Sequence, residues 1–346
     1  MRVARFYAPR DVRVEDAPEP TAGPGDLLLR VRNCSVCGTD AKIWGSGHPD
    51  LRPPRVLGHE IAGEVVEVGE GAGGWTVGDR VQVIAAIPDG SCPECRRGRM
   101  TVCPNQELIG YQYDGGFAEL MRVPAKVLAV DGVNRVPDGL SFAEASVAEP
   151  LSCVINGQEQ ARVGEGQTVV VVGAGPIGCL HVRLARVRGA ARVFLLELSR
   201  PRLEMAAGLV RPDEAIAAGA TDTVAAVREL TGGRGADVIV VAAASGRAQE
   251  DGLRMAARRG RVSFFGGLPK DKPAITVDAN IVHYREVGIV GANGSSPAHN
   301  QQALELIASG AVPVADLITH RLPLERTVEG IHTVARGEAI KVTIEA

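Results

Sequence analysis

Four consecutive valines, Val169–Val172, run directly into the sequence Gly173-Ala174-Gly175-Pro176-Ile177-Gly178. An apolar-periodic stretch follows, so the chain passes from a buried strand through a G-x-G-x-x-G turn into a helix. The first glycine permits the tight turn, Gly175 lets the backbone approach a pyrophosphate, and Gly178 lets helix and strand pack closely. The motif predicts a doubly wound parallel sheet that binds a dinucleotide at the helix N-terminus.

An acidic residue ends the next predicted strand. Glu197 lies nineteen residues after Gly178, where a carboxylate accepts hydrogen bonds from the adenosine ribose hydroxyls. Because it would repel the 2′-phosphate of NADP, NAD is the expected cofactor. Arg200 and Arg202 follow closely and leave NADP as the alternative, since an arginine can pair with that phosphate. Arg202 is also expected to contact the cofactor.

The pattern of apolar and polar residues changes twice along the chain. Short alternating segments such as Leu27–Arg32 predict antiparallel strands in the first part. From about Val169, apolar strands alternate with helical stretches, as in a parallel sheet covered on both faces. We therefore expect an α/β protein with a mainly β domain at 1–151 and 292–346, and a dinucleotide domain at 152–291.

Composition excludes several classes of protein. The 346 residues are 45% hydrophobic and 23% charged, enough apolar material for two cores. The 38 basic and 41 acidic residues give a net charge of −3 without long charged blocks, so no nucleic-acid or membrane partner is expected. The start, Met1–Phe6, lacks the apolar core of a signal peptide, which indicates a cytoplasmic enzyme. In that compartment the seven cysteines are expected to be thiols or metal ligands.

Two groups of residues have the chemistry of zinc ligands. Cys37, His59-Glu60 and Glu149 supply thiolate, imidazole and carboxylate, although they are too far apart in sequence for spacing to show that they meet. The second group, Asp89, Cys92, Cys95 and Cys103, has the spacing D-x2-C-x2-C-x7-C in a lobe at about 88–105. It predicts a structural zinc site, and the alternative is a lobe without metal, because an aspartate is a harder ligand than a thiolate.

Together these motifs resemble the zinc-containing medium-chain dehydrogenase/reductase superfamily, in particular its polyol group of sorbitol and L-threonine dehydrogenases. The resemblance covers essentially the whole chain and includes Gly58–Val65, Val77–Val81, Gly115–Glu119 and Leu230–Asp237 besides the dinucleotide motif. It implies a GroES-like catalytic domain, a Rossmann domain, and oxidation of a secondary alcohol to a ketone with NAD.

The resemblance also implies roles for individual residues. Cys37, His59 and Glu60 match the ligands of the catalytic zinc, and Glu149 matches the polyol-group glutamate that binds this metal directly or through water. Asp40 would orient His59, and Thr39 would receive the proton of the substrate alcohol. Most relatives have a histidine at the position of Lys42 to pass the proton to solvent. Lys42 or His48 is expected to do so here.

The substrate and the assembly are less constrained. Trp44, His48 and Asn293 are expected to line a pocket for a sugar alcohol or a cyclitol, including inositol and aminocyclitol types. An L-threonine or simple alcohol dehydrogenase shares every motif, and a non-catalytic NAD-binding redox sensor is the alternative outside enzymes. Relatives are commonly tetramers or dimers, with Val287–Gly291 as the expected pairing edge.

Overall fold

The structure, a computed structural model, describes all 346 residues. It has two compact units, Met1–Ser152 with Gly294–Ala346 and Cys153–Asn293, called here the first and the second unit. No helix combines the length and the apolar character of a membrane span. The α/β fold class predicted from the sequence is confirmed.

The first unit is built mainly from β-strands. Up to residue 152 its strands are β1 (Arg2–Ala8), β2 (Asp11–Asp16), β3 (Leu27–Val36), β4 (Arg55–Val56), β5 (Glu60–Val68), β6 (Arg80–Val83), β7 (Ala86–Ile87), β8 (Glu107–Leu108), β9 (Leu120–Val123) and β10 (Val133–Arg135). Its helices there are α1 (Gly38–Ser46), α2 (Pro93–Arg96), α3 (Ala125–Leu128), α4 (Phe142–Ser146) and α5 (Ala148–Ala161), which contains the unit boundary.

The second unit alternates strands with helices. Its strands are β11 (Thr168–Val172), β12 (Arg192–Glu197), β13 (Glu214–Ala217), β14 (Ala236–Val241), β15 (Ala256–Phe264) and β16 (Gly288–Gly291). Its helices are α6 (Pro176–Val187), α7 (Arg200–Val210), α8 (Thr223–Leu230), α9 (Gly246–Met255) and α10 (Ala279–Arg285). All strands are parallel in the order β13-β12-β11-β14-β15-β16, which is the dinucleotide-binding order.

The chain then returns to the first unit. The returning elements are α11 (Pro297–Ala308), β17 (Ile318–Pro323), α12 (Thr327–Arg336) and β18 (Lys341–Glu345). Short 3-10 turns lie at Met100–Val102, Ala315–Leu317 and Leu324–Arg326.

A seven-stranded sheet forms the centre of the first unit, in the order β10-β6-β5-β3-β18-β17 with β9 also paired to β3. Ser35 at the end of β3 is opposite Glu60 at the start of β5, and Val36 is opposite Val342 on β18. Side chains from β3, β5, β6 and β18 make up much of its buried core. The pairing brings the end of β3, the start of β5 and the start of β18 to one place.

Candidate active site and metal centres

Cys37 occupies the junction between the end of β3 and the start of α1. Its backbone N–H donates to Asp40 Oδ2 at 2.8 Å, so Asp40 fixes the first turn of the helix. The other oxygen, Asp40 Oδ1, is buried, has no hydrogen-bond partner, and lies 3.6 Å from His59 Nδ1. Asp40 therefore contacts two of the expected metal ligands, the backbone of Cys37 and the ring of His59.

His59 precedes β5 and is held by a glycine turn. A Cβ on Gly58 would lie 2.7 Å from Cys34 Sγ and 2.9 Å from the Phe117 ring, and its φ is +90°. Only glycine fits both conditions. Burial alone would lower the pKa of His59, but the charge of Asp40 and the contacts with Asp40 and Cys37 raise that pKa well above its usual range.

The ligand atoms of Cys37, His59 and Glu60 lie within 4.8 Å of one another. Thiolate, imidazole and carboxylate together are a donor set that zinc accepts. His59 Nδ1 faces a carboxylate, which is the arrangement that orients a metal-binding imidazole and leaves Nε2 for the metal. The residues present thus fit the zinc ion that the sequence led us to expect.

Lys341, at the start of β18, was not foreseen from the sequence. Its Nζ pairs with Glu60 Oε2 and donates to the Val36 carbonyl at 3.3 Å, and the two charged side chains are 2% and 1% exposed. Burial would lower the pKa of Lys341, but the charges of Glu60, Cys37 and Glu149 raise it, so the lysine stays charged. The sequence could have indicated this pair, because Lys341 lies within the mostly apolar segment Ile340–Ile344. A lysine buried there needs an acidic partner.

The other expected active-site residues have different positions in the first unit. Glu149, in the first turn of α5, is buried but outside the 4.8 Å group, and its charge acts on Lys341. Thr39 is half-buried on α1, next to Asp40. Lys42, one turn further along α1, is exposed, and its carbonyl accepts from Ser46 Oγ at 3.0 Å.

The predicted substrate-pocket residues are dispersed. Trp44 packs edge-on against His332 of α12, with ring centroids 4.5 Å apart. The His48 ring packs edge-on against Tyr111 at 5.0 Å, and its Nδ1 accepts from the Asp50 N–H at 3.3 Å. Asn293 belongs to the second unit, where its carbonyl accepts from Asn156 Nδ2 at 3.3 Å.

The lobe brings its four residues together within one loop. The ligand atoms of Asp89, Cys92, Cys95 and Cys103 lie within 4.8 Å of one another, and all three cysteines are free thiols. Asp89 Oδ1 accepts from the N–H groups of Ser91 and Cys92, both at 2.8 Å, and Oδ2 accepts from Asn105 at 2.5 Å. The Asn105 bond is the largest of several that lower the pKa of Asp89.

The thiols of the lobe differ in their electrostatics. Hydrogen bonding from the Cys95 backbone lowers the pKa of Cys92, while burial raises the pKa of Cys95 to about 12. A thiol binds a metal as the thiolate, so metal binding would release the protons that these thiols carry. Three convergent thiols and one carboxylate fit a closed tetrahedral zinc site.

The glycine motif of the second unit has the conformation that the sequence predicts. Gly173 has φ +108°, and a Cβ on Gly178 would lie 1.8 Å from the Gly173 carbonyl. Gly175 precedes α6, which begins with Pro176-Ile177, so free N–H groups are available to an anion at this end of the helix. The loop therefore suits a pyrophosphate.

Glu197 and Arg202 both lie beside this loop. Glu197 Oε2 accepts from the Ala174 N–H at 2.8 Å, and Oε1 accepts from the N–H groups that follow it in the chain. An Arg202 guanidinium nitrogen is 2.9 Å from the position of a Cβ on Gly175, and the buried Arg202 Nε has no partner. Arg200 instead pairs with Glu204 at 2.9 Å. One carboxylate and one cation thus frame the dinucleotide loop.

These features define a zinc-binding oxidoreductase that uses a nicotinamide dinucleotide. Residues 23–132 match the family described as "Alcohol dehydrogenase GroES-like domain", and residues 176–309 match "Zinc-binding dehydrogenase". The chain belongs to the zinc-containing medium-chain dehydrogenase/reductase superfamily, in the group that includes polyol and L-threonine dehydrogenases. It is an NAD(P)-dependent alcohol dehydrogenase, as the sequence predicted.

The chain is similar to relatives that are named for different substrates. The chain is 31% identical over 333 residues to a sorbitol dehydrogenase of Halalkalibacterium halodurans, covering 96% of this chain and 94% of the relative. It is 32% identical over 338 residues to an L-threonine 3-dehydrogenase of Symbiobacterium thermophilum, covering 96% and 93%. A solved zinc-binding dehydrogenase of Sinorhizobium meliloti, bound to NADP, has a TM-score of 0.92 and 30% identity, covering 100% and 99%.

Proposed function

We propose that the chain oxidises a secondary alcohol of a polyol or cyclitol to a ketone, with transfer of a hydride to NAD⁺ and release of one proton. The observation that carries this proposal is the convergence of Cys37, His59 and Glu60, with Glu149 close enough for its charge to act on Lys341. A glutamate in place of a second cysteine favours the polyol branch over the Cys2His alcohol dehydrogenases.

Cys37, His59 and Glu60 would hold the zinc, with Glu149 as a further ligand or the partner of a bound water. A zinc ion held there supplies Lewis acidity that lowers the pKa of a substrate hydroxyl. Thr39 would accept a hydrogen bond from the substrate hydroxyl and, as it takes that proton, pass its own hydroxyl proton to the next group of the relay. Asp40 keeps the His59 imidazole in the required orientation. Lys341 balances the charge of Glu60, so that this carboxylate can remain buried beside the other ligands.

His48 is the better candidate to carry the proton onward. An ammonium has three donors and no acceptor, so Lys42 must lose a proton before it can receive one, whereas a neutral imidazole accepts directly. His48 is half-buried, and its Nδ1 accepts from the Asp50 N–H, so the neutral ring carries its proton on Nε2. A relayed proton would enter at Nδ1, in place of the Asp50 hydrogen bond, and the Nε2 proton would leave to solvent. Lys42 remains the alternative.

For the cofactor, we propose a preference for NAD over NADP. The Glu197 carboxylate at the end of β12 would repel a 2′-phosphate, and the nearby Arg200 is paired with Glu204. NADP is the alternative cofactor, because a similar solved dehydrogenase is bound to NADP. Arg202 beside the loop, with no partner at Nε, is the residue that could pair with a 2′-phosphate.

L-threonine is the second candidate substrate, because relatives of both substrate classes match at similar identity. The deciding experiment measures kcat/KM with NAD⁺ and with NADP⁺ on sorbitol, myo-inositol, an aminocyclitol and L-threonine, alongside zinc analysis. We expect the highest kcat/KM on a polyol or cyclitol with NAD⁺. A higher value on L-threonine would transfer the proposal to that substrate, and full activity in a zinc-free preparation would end it.

We also propose that two copies of the chain pair through β16. This strand is the last in the six-stranded sheet, so one of its edges has no partner within the chain, and Ile289 on it is 42% exposed. Pairing two such edges gives a dimer, and two dimers give a tetramer. A monomer in light scattering at micromolar concentration would contradict the proposal.

A further inference from the structure

Tyr111 lies in a rigid loop of the first unit, between β8 and β9. Its N–H donates to the Leu108 carbonyl at 3.3 Å, and the Gly110 N–H donates to the Tyr113 carbonyl at 2.8 Å. The side chain is only 7% exposed and belongs to the core of the unit. The loop therefore holds the ring of Tyr111 in a fixed position.

The loop of Tyr111 lies against the glycine turn that precedes His59, since a Cβ on Gly110 would lie 3.4 Å from the Gly58 carbonyl oxygen. Burial is the main reason why the pKa of Tyr111 rises to about 12, and the charges of Asp40, Cys37 and Asp50 raise it further while His59 opposes them. The ring also packs at 81° against His48. Tyr111 is therefore a neutral phenol that directly follows the residue in contact with the His59 turn and packs against His48, the residue assigned to the proton relay.

The hydroxyl of Tyr111 differs from those of the neighbouring tyrosines. Tyr113 donates to Glu107 at 2.9 Å, and Tyr7 donates to Glu15 at 2.7 Å. The Tyr111 hydroxyl makes no such bond to an acceptor within the chain, so it is available to a ligand. It can donate and accept at once, which matches a second hydroxyl group of a substrate.

We propose that Tyr111 is a specificity-determining residue that hydrogen-bonds the hydroxyl on the carbon next to the reacting one. The enzyme then prefers vicinal diols, the unit that polyols and cyclitols share, over alcohols with a single hydroxyl. This inference rests on the proposed function and adds to it the substrate feature that the first unit recognises.

The test compares 2,3-butanediol with 2-butanol, two substrates with the same carbon chain. In the Tyr111→Phe enzyme we expect the ratio of the two kcat/KM values to fall about tenfold, the effect of one lost hydrogen bond. The loss should appear mainly as a higher KM for the diol. Calorimetric titration of the diol into the enzyme–NADH complex should show the same weakening without turnover.

Tyr113→Phe is the matched control, since it removes a hydroxyl two residues away that is already bonded to Glu107. An unchanged ratio in Tyr111→Phe, or an equal loss on both substrates accompanied by loss of zinc, would overturn the inference. If the unmodified enzyme oxidises neither alcohol nor any polyol, the proposed function itself fails. Oxidation of both alcohols with no effect of Tyr111→Phe overturns only the role of Tyr111.

Discussion

The two candidate metal centres of the first unit are assembled in opposite ways. Cys37 and the His59-Glu60 pair come from the ends of two paired strands, and β18 near the end of the chain closes the group. The lobe takes all its ligands from one loop, between Asp89 and Cys103. Pairing between distant strands therefore positions the ligands of the first centre, whereas hydrogen bonds within one loop position those of the second.

The two centres also differ in the kind of groups that support their ligands. Buried charged side chains, Asp40 and Lys341, support the strand-end centre. Backbone N–H groups and the exposed Asn105 support the lobe. Substitutions at the strand-end centre should thus cost activity or global stability, while those in the lobe should change metal affinity locally.

The largest effect is expected for Cys37→Ala. Removing a ligand should reduce kcat/KM by about 1,000-fold or more, the scale lost with a principal charge-stabilising group. Because strand pairing positions the ligands of this centre, circular dichroism and NADH binding should remain close to those of the parent enzyme. Zinc analysis should show the loss of one ion per chain.

Cys34→Ala serves as the control for Cys37→Ala, since it removes a buried thiol of β3, three residues earlier, that lies outside the ligand group. It should retain both zinc ions. If Cys37→Ala unfolded the first unit as completely as chelation, the contrast between the two centres would be wrong.

Next in size is the effect of Lys341→Met on stability. In the zinc-free protein this change leaves the carboxylate of Glu60 buried without its counter-charge, which costs about 3 kcal/mol or more in the free energy of unfolding. Urea denaturation would measure it. The double variant Lys341→Met with Glu60→Gln should recover much of the loss, and a stable single variant would show that the pair contributes little.

The ligands of the two centres were not equally easy to predict from the sequence, because one set is local and the other comes from distant strands. The D-x2-C-x2-C-x7-C spacing was enough to predict all four candidate ligands of the lobe, because they are close together in sequence. The glycine motif, likewise local, led directly to β11, α6 and the sheet. Cys37, His59 and Glu60 needed the resemblance to a family, and Lys341 was missed, because strand pairing between distant segments has no local signal beyond one charge in an apolar strand.

A third prediction concerns the aspartate that distinguishes the lobe. Asp89→Asn keeps the shape of the side chain but removes its charge, so zinc affinity of the lobe should fall by about 100-fold. Competition with a chromogenic chelator would measure this for one of the two zinc ions. Asp89→Cys should have the opposite effect, because a thiolate is the softer ligand. If neither variant changed the affinity, Asp89 would serve only to cap the backbone of Ser91 and Cys92.

The smallest effect is expected for Asn105→Ala. The side chain of Asn105 donates one hydrogen bond, to the Asp89 oxygen that the Ser91 and Cys92 N–H groups leave free. Its removal should lower zinc affinity by about tenfold, the lower end of what a supporting hydrogen bond contributes. Gln106→Ala, at the next position, is the matched control in the same chelator assay. An effect of Asn105→Ala as large as that of Asp89→Asn would mean that the asparagine, and not the backbone, holds the aspartate in place.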